Sequence, residues 1–499
     1  MFGYLDNSQA PLSEWLTALA GRRRFLVFAA AGVVGALGHP PVGWPILTFF
    51  SLLFLFVAAP WRLGPRGAAW AGWAYGVGYF AVVLHWIVEP FLVDIARHGW
   101  MAPFAISLMA GGLALFYGAA FAVAGWRRSG LVLALTLSAA ELGRAHLFGG
   151  FPWGMHVAAF VDVLFYQAAA WLGPFGLTLA FLLFFAFVAR LQPYLGGALA
   201  AALGALTLVS VPPAEEAVEE GPLIRVVQPN ARQDLKWLPD QAPIFLNRKL
   251  QATAAAPAAD LVIWPETALT TWMQEAEPIF AEAARIGQGA ELLIGANSFV
   301  GGQAFNALAH VSDGALTATY EKAHLVPFGE YMPLRGLFER VGIFGLSELA
   351  RFGFHPGPGP AVLDVPRIGL VQPLICYESI FSYEVRRVTE RPRLIAVVTN
   401  DAWFGELGGP AQHLAQSQAR AIEMGVPVAR SANTGISAII DARGRIVTSL
   451  PLGVAGHVDA PLPAALPPTL YARFGEWVFA LLALLALLVH LAGRRFDFD

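Results

Sequence analysis

Cysteine occurs once in this chain of 499 residues, at Cys376, and lysine three times, at Lys236, Lys249 and Lys322. A single thiol cannot close an intrachain disulfide, so cysteine usage is compatible with either redox compartment. None of the lysines follows a glycine, which excludes a G-K-[ST] phosphate loop and the nucleotide motors built on one. H-E-x-x-H and paired C-x-x-C motifs are absent too, so nothing argues for zinc. Charge is scarce, at 13% of residues with a net of −3, and no Lys/Arg cluster extends beyond short loops. A nucleic-acid partner therefore has no electrostatic basis.

Apolar residues are abundant instead, at 57%, well above the soluble average. They are unevenly spread: residues 1–211 are almost uncharged, whereas 221–470 have an ordinary globular balance. Seven apolar segments, roughly 24–40, 44–61, 67–90, 103–126, 130–147, 162–189 and 193–211, precede the polar region, and an eighth, 474–493, follows it. A membrane-crossing helix needs ~20 residues, and most of these segments reach that length. A signal peptide would account for Arg22, Arg23 and Arg24 before the first segment but for none of the others, so that segment reads as an uncleaved helix. With a cytoplasmic N-terminus, the inner loops and tail hold Arg22, Arg23, Arg24, Arg62, Arg66, Arg127, Arg128, Arg190, Arg494 and Arg495. The short outer loops hold only Arg97 and Arg144, a clear positive-inside bias. Residues 212–473 then lie outside the cytoplasm, with the acidic stretch 214–221 as the linker. Glu89, Glu141 and Arg144 fall near outer helix ends, where interfacial solvation accounts for them. An interior this poor in ionisable groups argues against a transporter.

Beyond residue 221 the pattern changes to short buried strands. LIRVVQPN (223–230), LVIWPE (261–266), LLIGANSF (292–299), LVQPLICYE (370–378) and LIAVVTND (394–401) each end in polar residues, with helical stretches between them. Residues 437–450 read as a hairpin turning near Gly444. In α/β architectures functional groups collect at strand ends. Glu266 ends one such run, Cys376 ends another, and Lys322 follows the strand-like run AFNALAHV. Together they make chemical sense: a carboxylate to take a thiol proton, and an ammonium to favour the thiolate and then an oxyanion.

The segments WPE, EKxHLVPFGEYxP and CYE, in that order, resemble the Glu–Lys–Cys signature of the nitrilase (carbon–nitrogen hydrolase) superfamily. With TNDAWFG (399–405), the stretch 412–438, GFPWG (150–154) and the apolar segments, the whole chain resembles the apolipoprotein N-acyltransferase family. The resemblance implies a polytopic membrane domain of about eight helices joined to an α-β-β-α nitrilase-like sandwich. It implies Glu266 as general base, Lys322 as oxyanion stabiliser, Cys376 as nucleophile and Glu330 as the lysine's support. Tyr377 and Glu378 match substrate-binding positions beside the acyl-enzyme, and Trp237 an aromatic on a mobile arm. Asn306, Asn400, Asp401 and Asn433 fit family positions where scaffold hydrogen bonding is the expected role. The implied partners are a phospholipid acyl donor such as phosphatidylethanolamine, a diacylated apolipoprotein acceptor and the membrane lipid itself. No cofactor is implied, and the implied location is a bacterial inner membrane with the catalytic domain periplasmic and both termini cytoplasmic. Each buried CH₂ is worth ~0.8 kcal/mol, so a site for chain-anchored substrates is expected to open toward the bilayer. A membrane-tethered amidase would use the same triad, but an anchor needs one helix rather than eight. A catalytically dead scaffold would have no use for an intact Glu, Lys and Cys set.

Overall fold

A computed structural model describes residues 11–19, 21–191, 193–214, 221–333, 336, 340 and 353–495. The linker expected at 214–221 lies outside these residues apart from its two ends. The chain divides into two compact units, one of residues 1–88, 101–211 and 473–499, the other of residues 89–100 and 212–472.

The first unit is helical. Three apolar helical stretches, Ile95–Arg127, Gly130–Gly149 and Leu164–Val188, are long enough to cross a membrane, and Ile95–Arg127 begins in the segment grouped with the second unit. Pro45–Ala58 and Pro60–Val83 form a bent pair that would make a fourth span. Among the described residues this is three or four spans by length, against the eight expected. Proline at residue 60 breaks one apolar run, and Gly21–Ala36, Pro45–Ala58 and Pro193–Leu206 are short. Close helix contact rests on missing side chains: a Cβ on Gly32 would stand 2.0 Å from the Tyr75 carbonyl oxygen, and one on Gly78 2.0 Å from that of Ala29.

Inside this unit lies a polar network that the sequence reading placed at an interface. Glu141 and Arg144 have no exposed side-chain surface, and Arg144 Nη2 is 2.5 Å from Glu141 Oε2. Tyr117 donates to the other Glu141 oxygen, and His156 Nδ1 lies 3.4 Å from it. Arg144 Nη1 donates to the carbonyls of Phe151 and Trp153 at 2.5 and 2.6 Å, tying the GFPWG segment to the helices. Tyr79 donates to the Gly154 carbonyl at 3.0 Å and lies 2.8 Å from His39 Nε2. Interfacial solvation is thus corrected to internal pairing, because an apolar interior tolerates these charges only when each meets a partner.

The second unit contains two six-stranded sheets. Strands β1 (Leu223–Gln228), β2 (Leu261–Trp264), β3 (Glu291–Val300), β4 (Gln303–Ser312) and β5 (Ala315–Glu321) form one, with β12 (Gly456–Pro461) beside β1. The other runs β6 (Leu363–Val365), β7 (Gly369–Ile375), β8 (Leu394–Thr399), β9 (Val428–Ala432), β10 (Ser437–Ile440), β11 (Ile446–Leu450). Both have the same pairing pattern: an antiparallel edge strand, three mutually parallel strands, then an antiparallel pair. The expected hairpin is β10–β11, with Gly444 at positive φ in its turn.

The central strands read as unbroken apolar runs because both of their faces are covered. Ile224, Leu261 and Ile263 of the first sheet meet Val371, Ile375, Ala396 and Val398 of the second in one core. Val262, Trp264 and Leu292 point the other way, onto Phe280 and Ala283 of helix Glu277–Ile286 and Ala252 of helix Ala242–Thr253. Ile395, Val397 and Val428 pack likewise on Leu414 and Ala421 of helix Gly409–Met424. These four layers are the α-β-β-α arrangement that the resemblance implied.

Replacing Arg144 with Met would leave the Glu141 charge buried without its counter-ion, a change that costs about 3–5 kcal/mol. Arg144→Met is expected to lower the thermal midpoint in detergent, and Glu141→Gln added to it to recover most of the loss. A single variant melting with the native chain would show that the pair contributes nothing.

Candidate active site

The parallel strands β2, β7 and β8 end on one side of the sandwich, and their last residues carry the groups the sequence singled out. Glu266 stands two positions beyond β2, after Pro265. This turn comes so close to β3 that a Cβ on Gly295 would lie 2.1 Å from the Pro265 carbonyl oxygen, so only glycine fits there. Cys376 follows β7 directly and has φ +51°, which is uncommon outside glycine. Thr267, beside Glu266, is similarly placed at φ +47°. Cys376 and Thr267, the neighbour of Glu266, thus both hold a backbone conformation that residues with a side chain seldom adopt and that clusters at functional sites. Lys322 follows β5, and its backbone N–H donates to the Asn306 carbonyl at 2.8 Å.

Lys322 is 1% exposed. Its Nζ lies 2.9 Å from Glu330 Oε1 and 3.6 Å from Glu266 Oε1. The Asn306 side-chain amide donates to both carboxylates, at 2.7 Å to Glu266 and 2.9 Å to Glu330. The backbone N–H of Asn400 donates to the other Glu266 oxygen at 2.8 Å, and that of Val326 to the other Glu330 oxygen at 2.7 Å. Burial works to discharge the lysine, but the negative charges of Glu330 and Glu266 outweigh it and hold the amine above its ordinary range. At neutral pH it is an ammonium.

Cys376 is buried beside these groups. Burial pushes its thiol well above the ordinary range and the charge of Glu266 adds to the effect, while Lys322 works against both. The sulfur therefore keeps its proton at rest.

Glu378 is turned inward. One of its oxygens accepts from the Tyr320 hydroxyl at 2.8 Å and from the backbone N–H groups of Ala323 and His324 at 2.7 and 3.2 Å, and the other from Ile375 N–H at 2.7 Å. It thus joins the strand that ends at Cys376 to the segment that follows Lys322. Burial raises its pKa, against the hydrogen bonds that lower it. Tyr377 is buried as well, with its ring edge-on to those of His324 and Phe381, and burial raises its pKa. Trp237 is 43% exposed. Its neighbour Lys236 is buried and donates to the Glu266 carbonyl at 3.5 Å, and burial lowers that amine to about 8. Asn433 donates to the Ala231 carbonyl and to Asn400 Oδ1, and Asn400 donates to Gln233, so both asparagines fasten the loop that leads to Trp237.

Three participants escaped the sequence reading: Thr399, His413 and Arg430. All are fully buried, and with Asp401 they form a charged cluster behind Cys376. For His413 the available signal was the density of polar residues in helix Gly409–Met424; Thr399 and Arg430 lie outside it, on β8 and β9.

Because the chain has one cysteine, alkylation by iodoacetamide reports on Cys376 alone. Glu266→Gln removes a negative charge and should move the labelling midpoint to lower pH, whereas Lys322→Met should move it higher. Shifts with the opposite signs, read by mass spectrometry across pH, would contradict this electrostatic picture.

Comparison with known proteins agrees with the geometry. The carbon–nitrogen hydrolase family model matches residues 223–465, and that of the apolipoprotein N-acyltransferase N-terminal domain matches residues 31–187. An apolipoprotein N-acyltransferase from Caulobacter vibrioides is 37% identical over 91% of this chain and 92% of its own. One from Rhodopseudomonas palustris is 36% identical over 95% of this chain and 96% of its own. Among solved structures, a CN-hydrolase superfamily protein from Xanthomonas campestris aligns at TM-score 0.36 and 21% identity, covering 53% of this chain and 96% of that one. With whole-length relatives at this level of identity and the nitrilase-type sandwich in place, the chain belongs to the apolipoprotein N-acyltransferase family and is an acyltransferase.

Proposed function

We propose that the chain transfers a fatty acyl group from a phospholipid, through a thioester on Cys376, to the N-terminal amine of a diacylglyceryl-modified apolipoprotein. The convergence of Glu266, Lys322 and Cys376, with Glu330 and Asn306 holding the lysine and the base, carries this reading. Glu266 takes the thiol proton as sulfur attacks the ester carbonyl carbon. Negative charge then develops on the carbonyl oxygen, where the Lys322 ammonium stabilises it. Collapse expels the lysophospholipid alkoxide, which receives the proton from Glu266. In the second half the acceptor amine attacks the thioester, Glu266 takes its proton, and sulfur leaves to be protonated again. Ester, thioester and amide follow one another without a nucleotide, in keeping with the missing phosphate loop.

In this reading Trp237 and Tyr377 contact the substrate. Glu378 positions the nucleophile and the lysine segment, since its oxygens are already engaged. We also read residues 1–211 as seven membrane helices, 212–473 as the periplasmic catalytic domain and 474–499 as the eighth helix with a cytoplasmic tail. The excess of arginine in the loops assigned to the inside supports that orientation.

Incubating the purified protein with acyl-labelled phosphatidylethanolamine should leave hydroxylamine-labile label on the native chain and none on Cys376→Ala. Adding a diacylated lipopeptide with a free amine should move the label to the peptide. Absence of label, or turnover of small amides instead, would favour a membrane-tethered amidase.

A further inference from the structure

Helix Gly409–Met424 packs behind the short turn Cys376–Ile380, and two of its side chains reach the carbonyls of that turn. Arg420, paired with Glu423 at 2.6 Å, donates to the Ile380 carbonyl at 2.9 Å. His413 Nε2 lies 3.0 Å from Ser379 Oγ and 3.3 Å from the Cys376 carbonyl oxygen, and the Ser379 hydroxyl donates to that same carbonyl at 2.8 Å. On its other edge, His413 Nδ1 lies 2.9 Å from Asp401 Oδ1, and Asp401 Oδ2 lies 2.6 Å from Arg430 Nη2. Ser379, His413, Asp401 and Arg430 have no exposed surface, and the reaction above uses none of them.

A hydroxyl, an imidazole and a carboxylate in this order are the parts of a serine-hydrolase triad. Here the hydroxyl is sealed from solvent and its one proton is spent on the Cys376 carbonyl, so it is not a nucleophile. What it holds is the backbone of one. Cys376 has φ +51°, a conformation that persists only where the surroundings impose it. Hydrogen bonds bracket the residue on both sides. Before it, the Ile375 N–H donates to Glu378 at 2.7 Å; after it, the Cys376 carbonyl meets the serine hydroxyl and the imidazole edge. With the serine proton on the carbonyl, Nε2 faces two acceptors and has to be the donor. Nδ1 has an acceptor in Asp401 and a donor in Arg430 Nη2, 3.1 Å away, and is served with or without a proton.

We propose that Ser379 and His413 are positioning residues that grip the Cys376 carbonyl and hold the nucleophile in its left-handed backbone conformation, with Asp401 and Arg430 anchoring the imidazole. No bond is made or broken at any of the four. This inference rests on Cys376 being the acylated nucleophile. A side chain takes its direction from its own backbone, so a Cys376 released to ordinary φ re-aims its sulfur, and a misplacement of about 1 Å can cost on the order of a hundredfold in rate.

The test is the rate at which the full-length protein gains hydroxylamine-labile label from acyl-labelled phosphatidylethanolamine, followed across donor concentrations. Ser379→Ala should lower the saturating rate by on the order of a hundredfold and leave the half-saturating concentration unchanged. His413 is replaced in two ways, because glutamine can set its amide where Nε2 sits and asparagine only where Nδ1 sits. His413→Asn keeps the reach to Asp401 and should fall as far as Ser379→Ala, whereas His413→Gln keeps the contact with the turn and should recover most of the rate. A histidine that served only to pack the helix or to hold Asp401 would give the reverse order. Ser379→Ala acylated at the native rate, a loss that appears as weaker saturation, or His413→Asn no slower than His413→Gln overturns the inference. If the His413 variants do not fold, Ser379→Ala decides alone. A native chain that gains no label defeats the nucleophile reading instead, whereas native labelling with an unaffected Ser379→Ala defeats only this inference.

Discussion

An ammonium group buried almost completely at the end of a β-sandwich must be neutralised where it stands, and the arrangement of the catalytic domain follows from that requirement. Lys322 has two carboxylates within reach, and each is held by a side-chain amide on one oxygen and a backbone N–H on the other. Isolated burial of any of these charges would be prohibitive; together they are tolerated because each charge meets an opposite charge or a hydrogen-bond donor at close range. The same packing that strips water from the lysine strips it from the thiol and raises its pKa.

The helical unit obeys the same rule by other means. Glu141, Arg144, His156, Tyr75 and Tyr117 share hydrogen bonds within an apolar bundle, and Nη1 of the arginine donates to two carbonyls of the GFPWG segment. Irregular backbone in such surroundings needs donors and acceptors from the protein itself, because lipid supplies none. A charged pair that looked peripheral along the chain is what allows a non-helical stretch to sit among helices.

The two sheets share one strand-pairing pattern, and their equivalent strands end in comparable residues. Glu266 lies two positions beyond β2, and Asp401 lies two positions beyond the matching β8. One carboxylate lies 3.6 Å from the ammonium; the other is locked to a buried arginine at 2.6 Å. Equivalent backbone positions thus hold two carboxylates in different company: burial acts on Asp401, but Arg430 and His413 overcome it and hold its carboxyl below the usual range.

Much of this could be read along the chain. The strands β1, β2, β3, β7 and β8 appear as short apolar runs ending in polar residues because both their faces are covered, and burial on that scale is a local property of composition. Glu266, Lys322 and Cys376 stood out for the same reason, as reactive groups where apolar runs stop or just follow. The number of membrane spans was less legible, since proline and glycine interrupt apolar runs whose helices then bend or end short. The inward turn of Glu378 and the pairing of Glu141 with Arg144 could not be read at all, nor could the Thr399–Asp401–Arg430–His413 cluster. Each depends on side chains brought together from distant segments, and hydrogen bonds form only between groups that packing places in contact. Residue types and apolar patterning determined which chemistry was available and which segments would be buried; the tertiary structure decided which charges meet, because pairing is settled by distances of a few ångströms that no spacing along the chain encodes.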